Sequence, residues 1–171
     1  MTATTGEDTM PGMNSSTSAL VTRLATLADA DRIAPLFDAY RQFYEQVPDL
    51  PGARAFIHDR LSLGESEILL AETDRGVVIG FCQLYPTFCS VEARPIHVLY
   101  DLYVIPEARR SGAGRSLLLA AARVSADLGK ARMDLTTART NRTAQLLYES
   151  LGWVRDEVFL AYSLRITRAA S

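Results

Sequence analysis

The chain lacks a long apolar run and a large excess of either charge. Its 171 residues include 18 Lys and Arg against 20 Asp and Glu, a formal net charge of −2. This balance argues against a nucleic-acid partner bound through overall basic charge. No apolar stretch approaches the roughly 18 residues of a membrane span, and residues 1–18 lack the apolar core of a secretion signal. We therefore expect neither nucleic acid nor membrane as a partner.

Cysteine and histidine are scarce, and this scarcity excludes several chemistries. Cys82 and Cys89 form no CxxC or Cys/His pattern, so we predict free thiols in a reducing cytoplasm. We expect no metal, because His58 and His97 have no partners at ligand spacing. No Ser or Cys lies in a nucleophile elbow, so a covalent acyl-enzyme is not expected.

The length predicts one domain, over residues 19–171, after a Ser/Thr-rich disordered tail at 1–18. Apolar periodicity predicts the element order β-α-α-β-β-β-α-β-α-β. The first helix carries Ile33, Phe37, Tyr40, Tyr44 and Val47 on one face and is expected to end at Pro48 and Pro51. The predicted later elements are a short helix that stops near residue 64, strands at 67–72, 77–85 and 96–105, a helix at 113–128, a strand at 133–137, a helix at 141–151 and a last strand at about 153–164.

The connections predict an α/β fold. Strand 96–105, helix 113–128 and strand 133–137 form a βαβ crossover, which requires parallel strands. The hairpin before it should be antiparallel. A mixed central sheet with helices on both faces follows.

The loop after strand 96–105 has the composition of an anion site. Arg109-x-x-Gly112-x-Gly114 stands between a buried strand and a helix N-terminus, and Arg110 and Arg115 add positive charge. A P-loop is excluded because Gly-Lys-Ser/Thr is absent, and a dinucleotide fingerprint because Leu117 replaces its third glycine. The loop therefore predicts a pyrophosphate site; the alternative is a tight turn with solvated arginines.

Two segments together resemble the GNAT N-acetyltransferases. Arg109-x-x-Gly112-x-Gly114, after Leu102-Tyr-Val-Ile-Pro106, is similar to the acyl-CoA signature of that family. Asn141-Arg-Thr-Ala144-x-x-Leu147-Tyr148, followed by Gly152-Trp153, is similar to its second signature. The element order agrees over about residues 20–166. The resemblance implies the GNAT fold and acetyl-CoA as donor substrate.

The resemblance also implies which residues bind the donor. Backbone amides of Ser111 to Gly114, with Arg115 and Ser116, are expected on the pyrophosphate, and the backbone of Tyr103 and Val104 on the pantetheine arm. The whole set of expected donor-binding residues is Leu102, Tyr103, Val104, Arg109, Arg110, Ser111, Gly112, Ala113, Gly114, Arg115, Ser116, Asn141, Ala144 and Tyr148.

Acetyl transfer to an amine needs a base for the amine, whose pKa is about 10.4, and an acid for the leaving thiolate. The resemblance assigns the acid to Tyr148, which could otherwise simply pack on its helix face. Asp101 is the candidate base because it is the carboxylate within an apolar strand; the alternative is a buried structural carboxylate. His97, expected on the same strand face, could act directly or through water, or be a satisfied strand-end histidine.

The acceptor site is predicted at Tyr40, Tyr44, Tyr85 and His97. Asp38, Glu45 and Asp49 form either a solvated helix face or a carboxylate-rich mouth for a cationic amine. We expect a small amine, such as a polyamine, an amino acid or an aminoglycoside, acetylated by direct attack in a ternary complex. The alternatives are a lysine or N-terminal amine of a protein, a longer acyl donor, a non-catalytic CoA-binding regulatory domain, and an interaction protein. A homodimer through the last strand, at Phe159 to Leu164, is a further prediction.

Overall fold

A computed structural model describes residues 20–166, which divide between Leu135 and Thr136 into two compact units. The predicted tail at 1–18 lies outside the described residues. The first unit contains β1 (Val21–Leu24), α1 (Ala30–Phe43), α2 (Leu50–Ser62), β2 (Glu67–Glu72), β3 (Val78–Cys89), β4 (Arg94–Val104), α3 (Ala113–Asp127) and β5 (Met133–Leu135). The second unit contains α4 (Arg142–Glu149).

The first unit is built on a five-stranded sheet in the order β1-β2-β3-β4-β5. The pairs β1–β2, β2–β3 and β3–β4 are antiparallel, and β5 is parallel to β4. The parallel pair results from the crossover through α3, since parallel neighbours cannot be joined by a tight turn. The predicted α/β fold with a mixed sheet is confirmed.

Helices cover both faces of this sheet. On one face, α1 and α2 bury Ile33, Phe37 and Ile57 against Ile68 of β2 and Phe81 of β3. On the other face α3 lies against β2, β3 and β4, with Leu117, Leu118 and Ala121 buried. We call these the α1/α2 face and the α3 face. Burial of these side chains is the main stabilising contribution to the unit.

The boundary between the first two helices differs from the prediction. Helix α1 ends at Phe43, so Tyr44 and Val47 lie beyond it. Pro51 does not stop α1 but lies in the first turn of α2, where its missing N–H is tolerated. The Asp49 carboxylate caps this turn by accepting a hydrogen bond from the Gly52 N–H at 2.9 Å.

The last predicted strand, about 153–164, is wrong: the described residues from 153 to 166 form no strand. One Asp156 carboxylate oxygen accepts hydrogen bonds from the backbone N–H groups of Val158 and Phe159, at 2.7 and 2.9 Å. Such local side-chain bonds compete with a strand ladder. The proposed homodimer therefore loses the edge strand on which it was based.

None of the described helices is long and apolar enough to cross a membrane. Cys82 and Cys89 are both free thiols, as predicted. Between residues 20 and 166, no group of three or more His, Cys, Asp or Glu side chains is placed to hold a metal ion.

Candidate active site

A β-bulge at Tyr100 shapes the site. Gln83 of β3 pairs with Asp101, and the next residue, Leu84, pairs with Leu99, so Tyr100 has no cross-strand partner. An extra residue interrupts the alternation of side chains along a strand. Tyr100 and Asp101 consequently both line one cleft on the α1/α2 face.

The cleft lies between α1, α2 and the β3–β4 pair and has a volume of about 630 Å³. This size is within the usual range of small-molecule sites. Its lining residues are Phe37, Tyr40, Arg41, Asp49, Gly52, Ala53, Phe56, Tyr85, Tyr100 and Asp101.

Asp101 is the buried acid of this cleft, with 6% of the residue exposed. Loss of hydration raises the pKa of its carboxyl from 3.8 to about 6, while a hydrogen bond from the Tyr40 side chain favours the charged form and opposes that rise. Asp101 is therefore mainly ionised at pH 7 but more basic than an ordinary aspartate. It can accept a proton from a group held in the cleft.

Aromatic side chains form the walls. The Phe37 and Phe56 rings are stacked, with centroids 5.1 Å apart, and Tyr85 meets Tyr100 edge-on at 5.6 Å. The Tyr40 hydroxyl oxygen also lies 3.2 Å from the Tyr100 carbonyl oxygen, so its single proton is shared between that oxygen and the Asp101 carboxylate. These rings leave a largely apolar surface around the one buried carboxylate.

The predicted acceptor residues do not all reach the cleft. Tyr40 and Tyr85 line it. Tyr44 is 46% exposed and is not among the lining residues; its ring packs edge-on against Tyr40. Of the acidic residues considered for a solvated face or mouth, Asp49 lines the cleft, Asp38 is buried and Glu45 is exposed.

His97 lies on the α3 face, and the prediction that it shares a face with Asp101 is wrong because the Tyr100 bulge separates them. Its Nδ1 is 2.8 Å from the Ser125 hydroxyl of α3, and its Nε2 is 3.2 Å from a Glu67 carboxylate oxygen. Burial lowers the pKa of this fully buried imidazole, although the Glu67 charge opposes the shift. We therefore remove His97 from the acceptor set.

Gln83 does not line the cleft but holds the Tyr85 side chain that does, a positioning role that sequence reasoning missed. It is fully buried, and its Nε2 donates to the Ser66 and Tyr85 hydroxyls, both at 2.8 Å. Burial and the nearby Asp101 carboxylate raise the pKa of Tyr85 to about 12, so its hydroxyl keeps its proton. A polar glutamine within the apolar sequence of β3 was the feature of the sequence that could have indicated this role.

The basic loop after β4 has the conformation of an anion cradle. Arg110 and Gly112 have φ of +65° and +91°, and α3 begins at Ala113. The first N–H groups of a helix have no intrahelical acceptors and are available to an anion. Gly114 is not left-handed, so only one of the two predicted glycines is required by its φ. The Arg109 guanidinium donates to the Val104 carbonyl oxygen at 3.2 Å and ties the loop to β4.

The β4 edge beside this loop is paired over a short distance. Strand β5 pairs with β4 at His97, Val98 and Leu99 and ends at Leu135. The residues expected on the pantetheine arm, Tyr103 and Val104, lie beyond the last pair of that ladder. Their pairing along the opposite edge is with Phe81 and Gly80 of β3.

The second unit carries the other signature. The Asn141 side chain caps α4 by accepting a hydrogen bond from the Ala144 N–H at 3.2 Å, and Gly152 follows the helix with φ +84°. These two predicted caps are confirmed. Tyr148 is half-buried, with its ring 5.9 Å from that of Trp153. The donor-binding roles of Asn141, Ala144 and Tyr148 stay predictions.

Comparisons with known proteins agree with this fold. The model of the acetyltransferase (GNAT) family matches residues 33–153. The chain is 48% identical to the "Uncharacterized N-acetyltransferase YhfO" of Bacillus subtilis strain 168 over 144 residues, which is 84% of this chain and 96% of the relative. A crystal structure of "a probable acetyltransferase" is 38% identical, with a TM-score of 0.79 over 88% of this chain and 99% of that one. The aminoglycoside N-acetyltransferase AAC(6')-Iy, solved in complex with CoA, shares the fold at 20% identity, with a TM-score of 0.73 over 87% of this chain and 97% of that one.

Proposed function

The chain belongs to the GNAT acetyltransferase family and is an N-acetyltransferase, and we propose that it transfers the acetyl group of acetyl-CoA to the primary amine of a small molecule. The observation that carries this proposal is the aromatic cleft around the buried Asp101 carboxylate. The amine attacks the thioester directly while both substrates are bound, since the cleft lining contributed by residues 20–166 includes no Ser or Cys.

Asp101 acts as the general base. An alkylammonium has a pKa of about 10.4, so the amine must lose a proton to attack. The pKa of Asp101 is raised to about 6, which is closer to the pKa of the amine than the value of an ordinary aspartate is. The ammonium first loses one proton to water, which leaves the lone pair that attacks. As the nitrogen then forms its bond to the acetyl carbon it becomes far more acidic, and Asp101 takes the second proton.

The loop at Arg109 to Ser116 binds the CoA pyrophosphate in this proposal. The left-handed turn at Gly112, the first N–H groups of α3 and three arginine side chains supply the donors and charge that a pyrophosphate needs. The backbone of Tyr103 and Val104 binds the pantetheine arm. The shared fold with a CoA-bound acetyltransferase and the similarity to an N-acetyltransferase of Bacillus subtilis support this donor.

Tyr148 supplies the proton for the leaving thiolate. This role rests on the resemblance of Asn141-x-x-Ala144-x-x-Leu147-Tyr148 to the second GNAT signature. A phenol with a pKa of about 10 can protonate a thiolate as the C–S bond breaks. The balance is closed when Asp101 releases the proton that it received to water and the Tyr148 phenolate takes one back from water. We expect Tyr148→Phe to lower turnover while calorimetric affinity for CoA is kept.

The dimensions of the cleft support a compact acceptor. About 630 Å³ holds a small molecule, and its aromatic lining matches the usual composition of small-molecule sites. The competing activity is acetylation of a lysine side chain in a peptide. A single experiment can include small amines and lysine peptides as acceptors.

The test is product formation from acetyl-CoA by the full chain with polyamines, amino acids, aminoglycosides and lysine peptides, followed by mass spectrometry of the acetamide. Formation of the acetamide of a small amine supports the proposal. Acetylation of peptides alone, or of nothing while CoA still binds, contradicts it.

A matched pair of glycine variants tests the donor loop. Gly112 and Gly64 are both left-handed, at φ +91° and +63°, and a Cβ at either meets nothing within 4 Å. Gly112→Glu and Gly64→Glu therefore introduce the same charge and similar strain. Only Gly112→Glu should abolish CoA binding; equal effects of the two would remove the loop assignment.

A further inference from the structure

The charges around the cleft do not suit a polycation. Its lining includes two carboxylates and one guanidinium, Asp49, Asp101 and Arg41. One Asp49 oxygen is engaged as the cap of α2, accepting from the Gly52 N–H at 2.9 Å. Asp49 keeps its charge as a cap, so the lining presents two carboxylates and one guanidinium, and the further ammonium groups of a polycation would meet Arg41.

Arg41 is held at the cleft by a buried acid. Its Nη1 donates to Asp38 at 3.0 Å, and Asp38, 7% exposed, also accepts from the Gln42 side chain and the Asp49 N–H, both at 2.9 Å. Asp38 is thereby a positioning residue for Arg41. A guanidinium has five N–H donors. Within residues 20–166, the side chain of Arg41 uses one of them, in the hydrogen bond to Asp38.

A fixed guanidinium with N–H groups in reserve is suited to a carboxylate. Arginine recognises carboxylates through paired, parallel N–H···O bonds, and an arginine whose side chain is already ordered loses less entropy on binding.

The rest of the cleft lining is largely aromatic. Phe37 and Phe56 stack on one wall, and Tyr85 and Tyr100 meet edge-on. A hydrocarbon or aromatic body buried here gains free energy roughly in proportion to the apolar area removed from water. A hydroxyl-rich body such as an aminoglycoside would leave polar groups without partners against these rings.

We propose that the acceptor is an amino carboxylate with an apolar or aromatic body, its amine at Asp101, its carboxylate at Arg41 and its body against Phe37 and Phe56. This inference rests on the proposed function and narrows its acceptor class. It makes Arg41 a specificity-determining residue and disfavours polyamines and aminoglycosides.

The test compares acceptors that differ in one group. Both enantiomers of phenylalanine supply the carboxylate, 2-phenylethylamine lacks it, and spermidine and kanamycin represent the polycations. The kcat/KM for a phenylalanine enantiomer should exceed that for 2-phenylethylamine by roughly tenfold to a hundredfold, the contribution of a charge-assisted hydrogen bond.

Arg41→Gln should remove that ratio by lowering the kcat/KM for the phenylalanine enantiomer more than that for 2-phenylethylamine, and Arg41→Lys should restore part of it. Arg54→Gln is the matched control, because Arg54 is exposed, pairs with Asp31 and lies outside the cleft lining. A ratio that survives in Arg41→Gln, or a preference for spermidine or kanamycin, overturns the acceptor class and leaves the small-amine transferase standing. Absence of turnover with every amine overturns both.

Discussion

Asp101 and His97 lie on the same strand, and both are buried, yet the two faces of the sheet treat them differently. On the α1/α2 face, Asp101 lines a cleft of about 630 Å³. On the α3 face, His97 is fully enclosed between Ser125 and Glu67. Burial shifts the pKa of each toward its neutral form.

The difference teaches that a perturbed titratable group is not by itself a catalytic one. Access decides: a substrate can reach Asp101, whereas the imidazole of His97 has protein on every side. The α3 face uses its buried polar groups for packing, and the α1/α2 face keeps one carboxylate beside an open volume. Structural ion pairs perturb pKa values as strongly as active sites do.

The largest effect is expected from removal of the Asp101 carboxylate on the α1/α2 face. Asp101→Asn should lower kcat/KM roughly 100-fold to 1000-fold at pH 7, the usual contribution of a general base. The loss should shrink toward pH 10, where the free amine becomes abundant. Steady-state rates across pH with the best acceptor measure this. A loss that is equal at all pH values would indicate that Asp101 only shapes the cleft.

A substitution on the α3 face should change the stability of the protein and not its activity. His97→Ala removes a buried ring from between Ser125 and Glu67, and we expect a loss of about 2–4 kcal/mol in the free energy of unfolding. The kcat/KM of the folded protein should remain within about threefold of wild type. Denaturant titration and active-site titration separate the two quantities. Lost turnover at unchanged stability would show that His97 takes part in the reaction.

Local patterns predicted much of this arrangement. Helical spacing located α1 and α3, and the Asn141 and Gly152 caps followed from residue types that act on their own backbone. The loop from Arg109 to Gly114 was recognisable because left-handed turns and helix starts need particular residues. Asp101 stood out because a carboxylate within an apolar strand requires an explanation.

Features that depend on pairing could not be predicted in this way. The Tyr100 bulge is a property of two strands in register, and it reversed the face predicted for His97. Arg41 showed no signal in the sequence, because its position depends on Asp38, a residue taken for a surface acid or a cleft-mouth carboxylate. The false strand after Gly152 followed from apolar residues whose backbone is instead bonded by Asp156.

A smaller effect should appear in the pH dependence of stability. The folded pKa of Asp101, about 6, is above the unfolded value of 3.8. The folded state therefore binds more protons between these values, and stability falls as pH rises from about 4 to 6. Asp101→Asn removes this penalty and should stabilise the protein by about 3 kcal/mol at pH 8 but little at pH 4. Urea titrations at both pH values measure it, and an equal change at both would contradict the assigned pKa.

The smallest effect concerns the hydrogen bond from Tyr40, which lowers the pKa of Asp101 on the α1/α2 face. The Tyr40 side chain favours the ionised carboxylate, so Tyr40→Phe should raise the pKa of Asp101 further. The acid limb of kcat/KM should then move upward by roughly half to one pH unit, while the rate at high pH changes little. In the Asp101→Asn background the same Tyr40→Phe change should shift nothing, because the titrating group is gone. A limb that moves equally in both backgrounds would belong to another residue, and the comparison between the two faces would then need a different base.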